Sequence, residues 1–103
     1  MKTFESIVEQ YWEFADNAFD TSAHDSLYGL KREATELQVA MQDGEGEDNE
    51  LFEFADILFY WIYTLKRRGY TLEQVLRYCE RKLDILKART WSKNEDNTYS
   101  HIK

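Results

Sequence analysis

The sequence predicts an all-α fold: a four-helix antiparallel bundle completed by homo-oligomerisation. Three observations carry that prediction. Proline is absent and glycine occurs only four times in 103 residues, so long helices can run without breakers. Apolar residues recur every three or four positions through most of the chain. One periodic stretch, ELFEFADILFYWI at 50–62, is apolar nearly all the way round, which requires burial on more than one side. Four helices from a chain this short do not enclose it, so a second subunit is expected near it, in a homodimer or homotetramer. The length suits a single domain over 1–103.

Phe4, Ile7, Val8, Tyr11, Trp12, Ala15, Ala18 and Phe19 fall at helical spacing and predict a first amphipathic helix over about 3–20. The polar stretch DTSAHDS breaks the pattern. Leu27, Leu30, Ala34, Leu37 and Met41 then mark a second helix over about 26–42. DGEGEDNE, with two glycines and five acids, reads as a solvated loop. Asp48 or Asn49 can cap a third helix over about 49–68, whose last turn carries Lys66, Arg67 and Arg68 against the helix dipole. Gly69 ends it. Thr71 to Gln74 has capping-box spacing for a fourth helix over about 71–90, with Leu72, Val75, Leu76, Cys79, Leu83 and Leu86 as its buried stripe. The tail, 92–103, is polar, and no strand signal stands out.

Charge narrows the partners. Thirteen basic and twenty acidic residues leave a net charge of −7, which argues against a nucleic-acid polymer or an anionic membrane. A polyanionic small molecule would need cations to bridge it to such a surface. Cys79 is the only cysteine, so no internal disulfide forms and a reducing compartment is expected. The stretch after Met1 is amphipathic rather than a secretory leader, and the run 51–65 is too short and too acidic to span a bilayer. A cytoplasmic protein is the expectation.

The third helix poses a problem that the charge count does not. Within its apolar run lie Glu53 and Asp56, three residues apart. An ionised carboxylate withdrawn from water costs several kcal/mol without a partner. The second helix carries a matching pair, Glu33 and Glu36, in LKREATEL. Residues i and i+3 share a helix face, about 4.5 Å apart along the axis. If the two helices form an antiparallel hairpin, Glu36 lies level with Glu53 and Asp56, and Glu33 about one turn deeper. Four converging carboxylates repel one another and cannot all stay ionised unaided. An oxygen-only cluster without His or Cys is what Mg²⁺ or Mn²⁺ prefers. The plainer alternative pairs each acid with a nearby base, such as Lys31 or Arg32. Single ExxE pairs are common on solvated faces, but two on consecutive helices, one inside an apolar helix, favour the metal.

This arrangement, ExxE, sixteen residues, then ExxD, resembles the metal-binding signature of the MazG-like all-α nucleoside triphosphate pyrophosphohydrolases. The turn RRGYTLEQVL and the segment RKLDILKARTW continue the likeness, and ARTW followed by HIK is most similar to the dATP/dGTP pyrophosphohydrolase branch. The resemblance covers about 27–103. It implies Mg²⁺ at Glu33, Glu36, Glu53 and Asp56, with Mn²⁺ as a substitute. It also implies attack by a metal-activated water on the α-phosphorus of a nucleoside triphosphate, releasing pyrophosphate. Glu36, ahead of Glu33, is the expected water-activating residue. Arg32 stands where many relatives have another glutamate, and Leu86 where many have a phosphate-contacting asparagine, which leaves metal number and substrate open.

Lys82 and Arg89, seven residues apart on one helix face, are the expected phosphate contacts, ahead of Arg81 and Lys87. Trp12, Trp61 and Trp91 are available to a base, with Trp91 the expected substrate contact, although helix-spaced aromatics more often serve the core. His24 and His101 have no nucleophile or acidic partner placed by sequence. A sister activity on dUTP, dCTP or phosphoribosyl-ATP shares the same spacing. A non-catalytic helical oligomer that acts as a protein-interaction module is the alternative from another class.

Overall fold

A computed structural model describes residues 1–102; Lys103, the last residue of the expected tail, lies outside the described residues. Helices α1 (Phe4–Ala18), α2 (Ala23–Asp43), α3 (Glu47–Arg67) and α4 (Leu72–Ala88) are followed by strands β1 (Thr90–Lys93) and β2 (Tyr99–Ile102). The chain divides into two compact units, one of Met1–Tyr70 and a second that begins at Thr71. Among the described residues no helix is long and apolar enough to cross a membrane.

Local chemistry sets the helix ends. Thr3 caps α1 by accepting from the Ser6 amide at 3.1 Å, and Ser22 caps α2 by accepting from the Asp25 amide at 3.1 Å. The Ser22 cap lies within DTSAHDS, so α2 starts three residues earlier than its apolar pattern suggests. At its other end Gly44 takes the left-handed conformation, φ 62°, and its amide bonds back to the Ala40 carbonyl. Gly46, at φ 102°, then opens α3 without a side-chain cap. That corrects the expected start at Asp48 or Asn49. Both instead sit within the first two turns, where Glu47, Asp48 and Glu50 favour the positive helix end. Only Gly44, Glu45 and Gly46 therefore join α2 to α3.

So short a connection makes α2 and α3 an antiparallel hairpin that packs along most of its length. Pairings move outward from the loop in step. Glu33 meets Glu53 and Asp56, Gly29 lies against Tyr60, and Ser26 Oγ shares a hydrogen bond with Thr64 Oγ1. Helix α1 packs more lightly and runs in the same sense as α3. Tyr11 stacks on Phe59, Trp12 Nε1 donates to the Ile62 carbonyl at 3.2 Å, and Lys66 pairs with Asp16. The buried centre of this unit is small: Val8 and Ala15 of α1, Ser26, Gly29 and Ala40 of α2, Ile62 and Tyr63 of α3.

In the second unit the Thr71–Gln74 capping box forms as expected, with Thr71 N–H donating to Gln74 Oε1 at 2.8 Å and Gln74 N–H to Thr71 Oγ1 at 3.1 Å. The expected buried stripe of α4 does not. Leu72, Val75 and Leu86 are half-buried, Leu76, Cys79 and Leu83 are exposed, and α4 has no buried residue. A single helix and a two-stranded hairpin lack the second layer such a stripe needs.

The tail differs from expectation too. Thr90 to Ile102 is an antiparallel hairpin in the register Thr90↔Ile102, Trp91↔His101, Ser92↔Ser100, Lys93↔Tyr99. Its turn is held by Asp96 Oδ1, which accepts from the Thr98 amide at 3.0 Å, and by Asn97 at φ 69°. The polar composition hid two strands that pair only with each other, backbone to backbone.

Gly29 is a point of close approach in the α2–α3 seam, because a methyl group there would overlap the Tyr60 ring. Gly29→Ala is expected to lower stability by about 1–3 kcal/mol through overpacking, measured by urea unfolding against the parent protein.

Candidate metal centre and adjoining cavity

Three of the four predicted acids come together at mid-seam. One carboxylate oxygen from each of Glu33, Glu53 and Asp56 lies within 4.8 Å of the other two. Glu33 is 9 % exposed, Glu53 is half-buried and Asp56 is open to solvent. Glu36 is exposed but adjoins Glu33, one turn nearer the loop.

The order along α2 is as expected, with Glu33 one turn further from the loop, but Glu33 and not Glu36 meets the α3 pair. The physical reason is the early start of α3. Beginning at Glu47 rather than Asn49 moves Glu53 and Asp56 about 3 Å further from the loop. Asp56 is thereby brought level with Glu33.

Burial and like charge act together on Glu33. Its carboxyl is pushed up to about 7, first by burial, then by the hydrogen bond and charge of Glu36, with further contributions from Glu53 and Asp56. Buried oxygens remain without donors: Oε2 of Glu33 and Oε2 of Glu53 have no hydrogen-bond partner among the described residues. Pairing with bases, the plainer alternative, is weak here. Arg32 Nη2 reaches to 3.8 Å of Glu33 Oε1, but it donates instead to the Tyr60 hydroxyl at 2.9 Å and is largely solvated. Oxygen-only ligands, buried lone pairs without donors and uncompensated negative charge fit a hard divalent cation.

A cavity of about 660 Å³ opens beside the acids, with Glu33 and Asp56 in its wall. Much of the remainder is aromatic: Tyr11 and Phe14 from α1, Phe19 beyond it, and Phe59, Tyr60 and Tyr63 from α3. Tyr11 and Phe59 stack with centroids 4.4 Å apart and planes 16° from parallel. Burial pushes the Tyr11 hydroxyl up to about 12, with the nearby Tyr63 and Tyr60 adding to it, so it stays protonated. The Tyr63 hydroxyl accepts from the Thr21 amide at 3.0 Å and donates to the Thr21 carbonyl at 3.2 Å, which fastens the α1–α2 connection over the cavity.

Sequence reasoning missed these residues because their helical spacing reads equally well as core. The hydroxyls of Tyr11, Tyr60 and Tyr63 were the available signal, since each needs a polar partner or water and a dry core rarely takes three tyrosines.

The tryptophans are placed differently. Trp12 is half-buried and bonded to the Ile62 carbonyl, and Trp61 is exposed on α3. Trp91, in β1, is 40 % exposed and donates Nε1 to the Leu86 carbonyl at 3.1 Å. Lys82 is exposed on α4. Arg89 is not on the helix face expected for it: α4 ends at Ala88, and Arg89 has extended backbone (φ −85°, ψ 152°) where the chain turns into β1.

The model of a family described as dATP/dGTP pyrophosphohydrolase matches residues 7–103. No protein of curated function matches the chain significantly. The fold is similar to that of a cyanophage S-2L MazG-like pyrophosphohydrolase bound to dGDP and three catalytic Mn²⁺ ions per active site, with a TM-score of 0.73. The two chains are 20 % identical and each is covered in full.

The raised carboxyl of Glu33 has a signed consequence for the metal-free protein. Between the ordinary glutamate value and about 7 the folded state binds more protons than the unfolded state, so stability falls as pH rises through that window and levels off above it. With chelator present, the melting temperature of the parent minus that of Glu33→Gln should decline from pH 4.5 to 7 and stay flat to pH 8.5. A difference independent of pH would show that Glu33 is not perturbed.

Proposed function

Because the chain belongs to the dATP/dGTP pyrophosphohydrolase family over residues 7–103, and is thereby a nucleoside triphosphate pyrophosphohydrolase, we propose that it converts purine deoxynucleoside triphosphates to monophosphate and pyrophosphate with Mg²⁺, for which Mn²⁺ can substitute. The observation that carries this reading is the meeting of Glu33, Glu53 and Asp56, with two buried oxygens lacking donors, in the wall of an aromatic cavity.

Glu33, Glu53 and Asp56 would hold the metal, with Glu36 completing the acidic ring. When bound, the metal supplies charge neutralisation on the phosphate oxygens and a lowered pKa for the attacking water. The chain's own residues do the remainder. Glu36, exposed and outside the group of three, is free to orient the water and accept its proton, and Glu33 is the second choice for that role. The rings of Tyr11, Phe14 and Phe59 exclude water and offer flat surfaces to a purine. Lys82, Arg89 and Trp91 are proposed as substrate contacts.

We also propose that the protein is a cytoplasmic homo-oligomer, a dimer or tetramer. Leu51, Phe54, Leu58 and Trp61 form an exposed stripe at helical spacing on α3. Its other faces are turned toward α2 and α1. Exposed apolar residues in such a stripe are supported by a second copy of the chain.

Glu53→Gln is expected to abolish pyrophosphate release from dATP and dGTP while leaving the helical circular-dichroism signal intact, and to remove the thermal stabilisation that Mg²⁺ plus nucleotide gives the parent. Activity surviving that substitution would remove the metal role of Glu53. Assaying all eight common nucleotides with Mg²⁺ and with chelator ranks the bases; no product from any would favour the interaction-module alternative. Leu58→Asp is expected to convert the oligomer to monomer in light scattering after gel filtration. An unchanged mass would place the interface elsewhere.

A further inference from the structure

The acidic centre leaves a triphosphate short of positive charge, and one basic side chain of the first unit lines the cavity itself. Lys2 lines the same cavity as Glu33 and Asp56. Its ammonium is not neutralised. The described residues form three ion pairs, Arg32–Glu33, Lys66–Asp16 and Arg67–Asp20, and Lys2 takes part in none. Instead Lys2 Nζ donates to the neutral Gln10 Oε1 at 2.7 Å, and Gln10 Nε2 donates to Ser6 Oγ at 3.0 Å. Gln10 and Ser6 of α1 thus hold the positive charge of the preceding Lys2 on the cavity wall.

The sense of α1 decides which end of the cavity that charge serves. Helix α1 runs parallel to α3, with Tyr11 level with Phe59 and Trp12 with Ile62. Moving back along α1 from Tyr11 through Gln10 to Ser6, the residues that hold the Lys2 ammonium, therefore moves along α3 from Phe59 toward Asp56 and Glu53. Ile7, four residues before Tyr11, is displaced by about 6 Å in that direction. The aromatic residues Phe14, Phe19 and Tyr63 lie the other way. Lys2 accordingly belongs with the acids, where phosphates would lie, and not with the rings, where a base would lie. It also precedes residues 7–103, over which the family model matches, so it is a feature of this chain outside the shared pattern.

We infer that Lys2 is a substrate-binding residue for the polyphosphate, held ready by Gln10. The inference rests on the proposed pyrophosphohydrolase reading and deepens it. An ammonium is a compact charge on a flexible stem and needs no fixed geometry to follow a phosphate chain. With a triphosphate present, it exchanges the neutral Gln10 oxygen for an anionic one, a stronger hydrogen bond. The contact distinguishes nucleotides by phosphate number rather than by base.

The test is binding to the full-length protein with Mg²⁺, by calorimetry, of a non-hydrolysable α,β-imido dGTP, of dGMP and of deoxyguanosine, alongside steady-state assays. Lys2→Ala should weaken the triphosphate analogue about tenfold, the size of one charge-assisted contact. It should leave dGMP and deoxyguanosine within twofold and raise KM more than it lowers kcat. Lys2→Arg should recover most of the loss. Unchanged affinity for the analogue would overturn the inference, as would equal losses for all three ligands, which would move Lys2 to the base. If the parent protein releases pyrophosphate and Lys2→Ala is silent, only this inference fails. If the parent releases none from any nucleotide, the functional reading fails with it.

Discussion

Like charge held close together inside a half-buried seam is the constraint on which the rest of this protein turns. Glu33 is almost fully covered, yet three other carboxylates press on it from its own helix and from α3. The one base paired with them, Arg32, compensates them weakly, since it lies 3.8 Å from Glu33, is engaged with Tyr60 and stands at the edge. Nature has cheaper ways to fill such a position: two leucines in place of Glu33 and Glu53 would stabilise the seam rather than strain it. The proposed function accounts for acids kept in such a seam, because divalent cations would offset their charge. The same electrostatics explain why the apo form should prefer a proton on Glu33, as the smallest cation available.

The surrounding structure holds this arrangement in register. A three-residue connection with glycines at positive φ fixes how α2 and α3 align, and Gly29 lets the Tyr60 ring close against α2. Helix α1 contributes differently. Its packing is light, but Tyr63 grips Thr21, Trp12 reaches the Ile62 carbonyl and Lys66 pairs with Asp16. Those tethers stand it off as a wall instead of closing it down as core. The cavity exists because α1 is fastened at several polar points and not collapsed onto α3.

The same economy leaves the chain short of buried surface. Fully covered apolar side chains are few, while phenylalanines and leucines on α3 stay open. A chain of this length has little interior to spend on both a cavity and a core. Assembly with further copies would restore the missing burial, linking the formation of the site to the formation of the oligomer.

Much was legible in the sequence. Helical periodicity located all four helices, the Thr71–Gln74 box and Gly69 set two of their ends, and the paired acids on consecutive helices pointed to one seam, because those features depend on neighbours three or four residues away. The cap that starts α3 was not legible: Gly46 wins that position through backbone freedom, and Asp48 or Asn49 offered as good a side chain. Two residues of error there put Glu36 rather than Glu33 level with the α3 acids. The hairpin over 90–102 was hidden because its pairing is backbone to backbone, and its side chains carry no alternation. The dual use of Tyr11, Phe59 and Tyr63 was hidden as well, since periodicity shows which face of a helix is apolar but not whether the space before it is filled. Local sequence determined which segments are helical and which acids face one another. The tertiary structure alone decided which carboxylate is buried and which wall stands open, because both depend on a register fixed by a three-residue loop and by contacts between residues some forty or fifty positions apart.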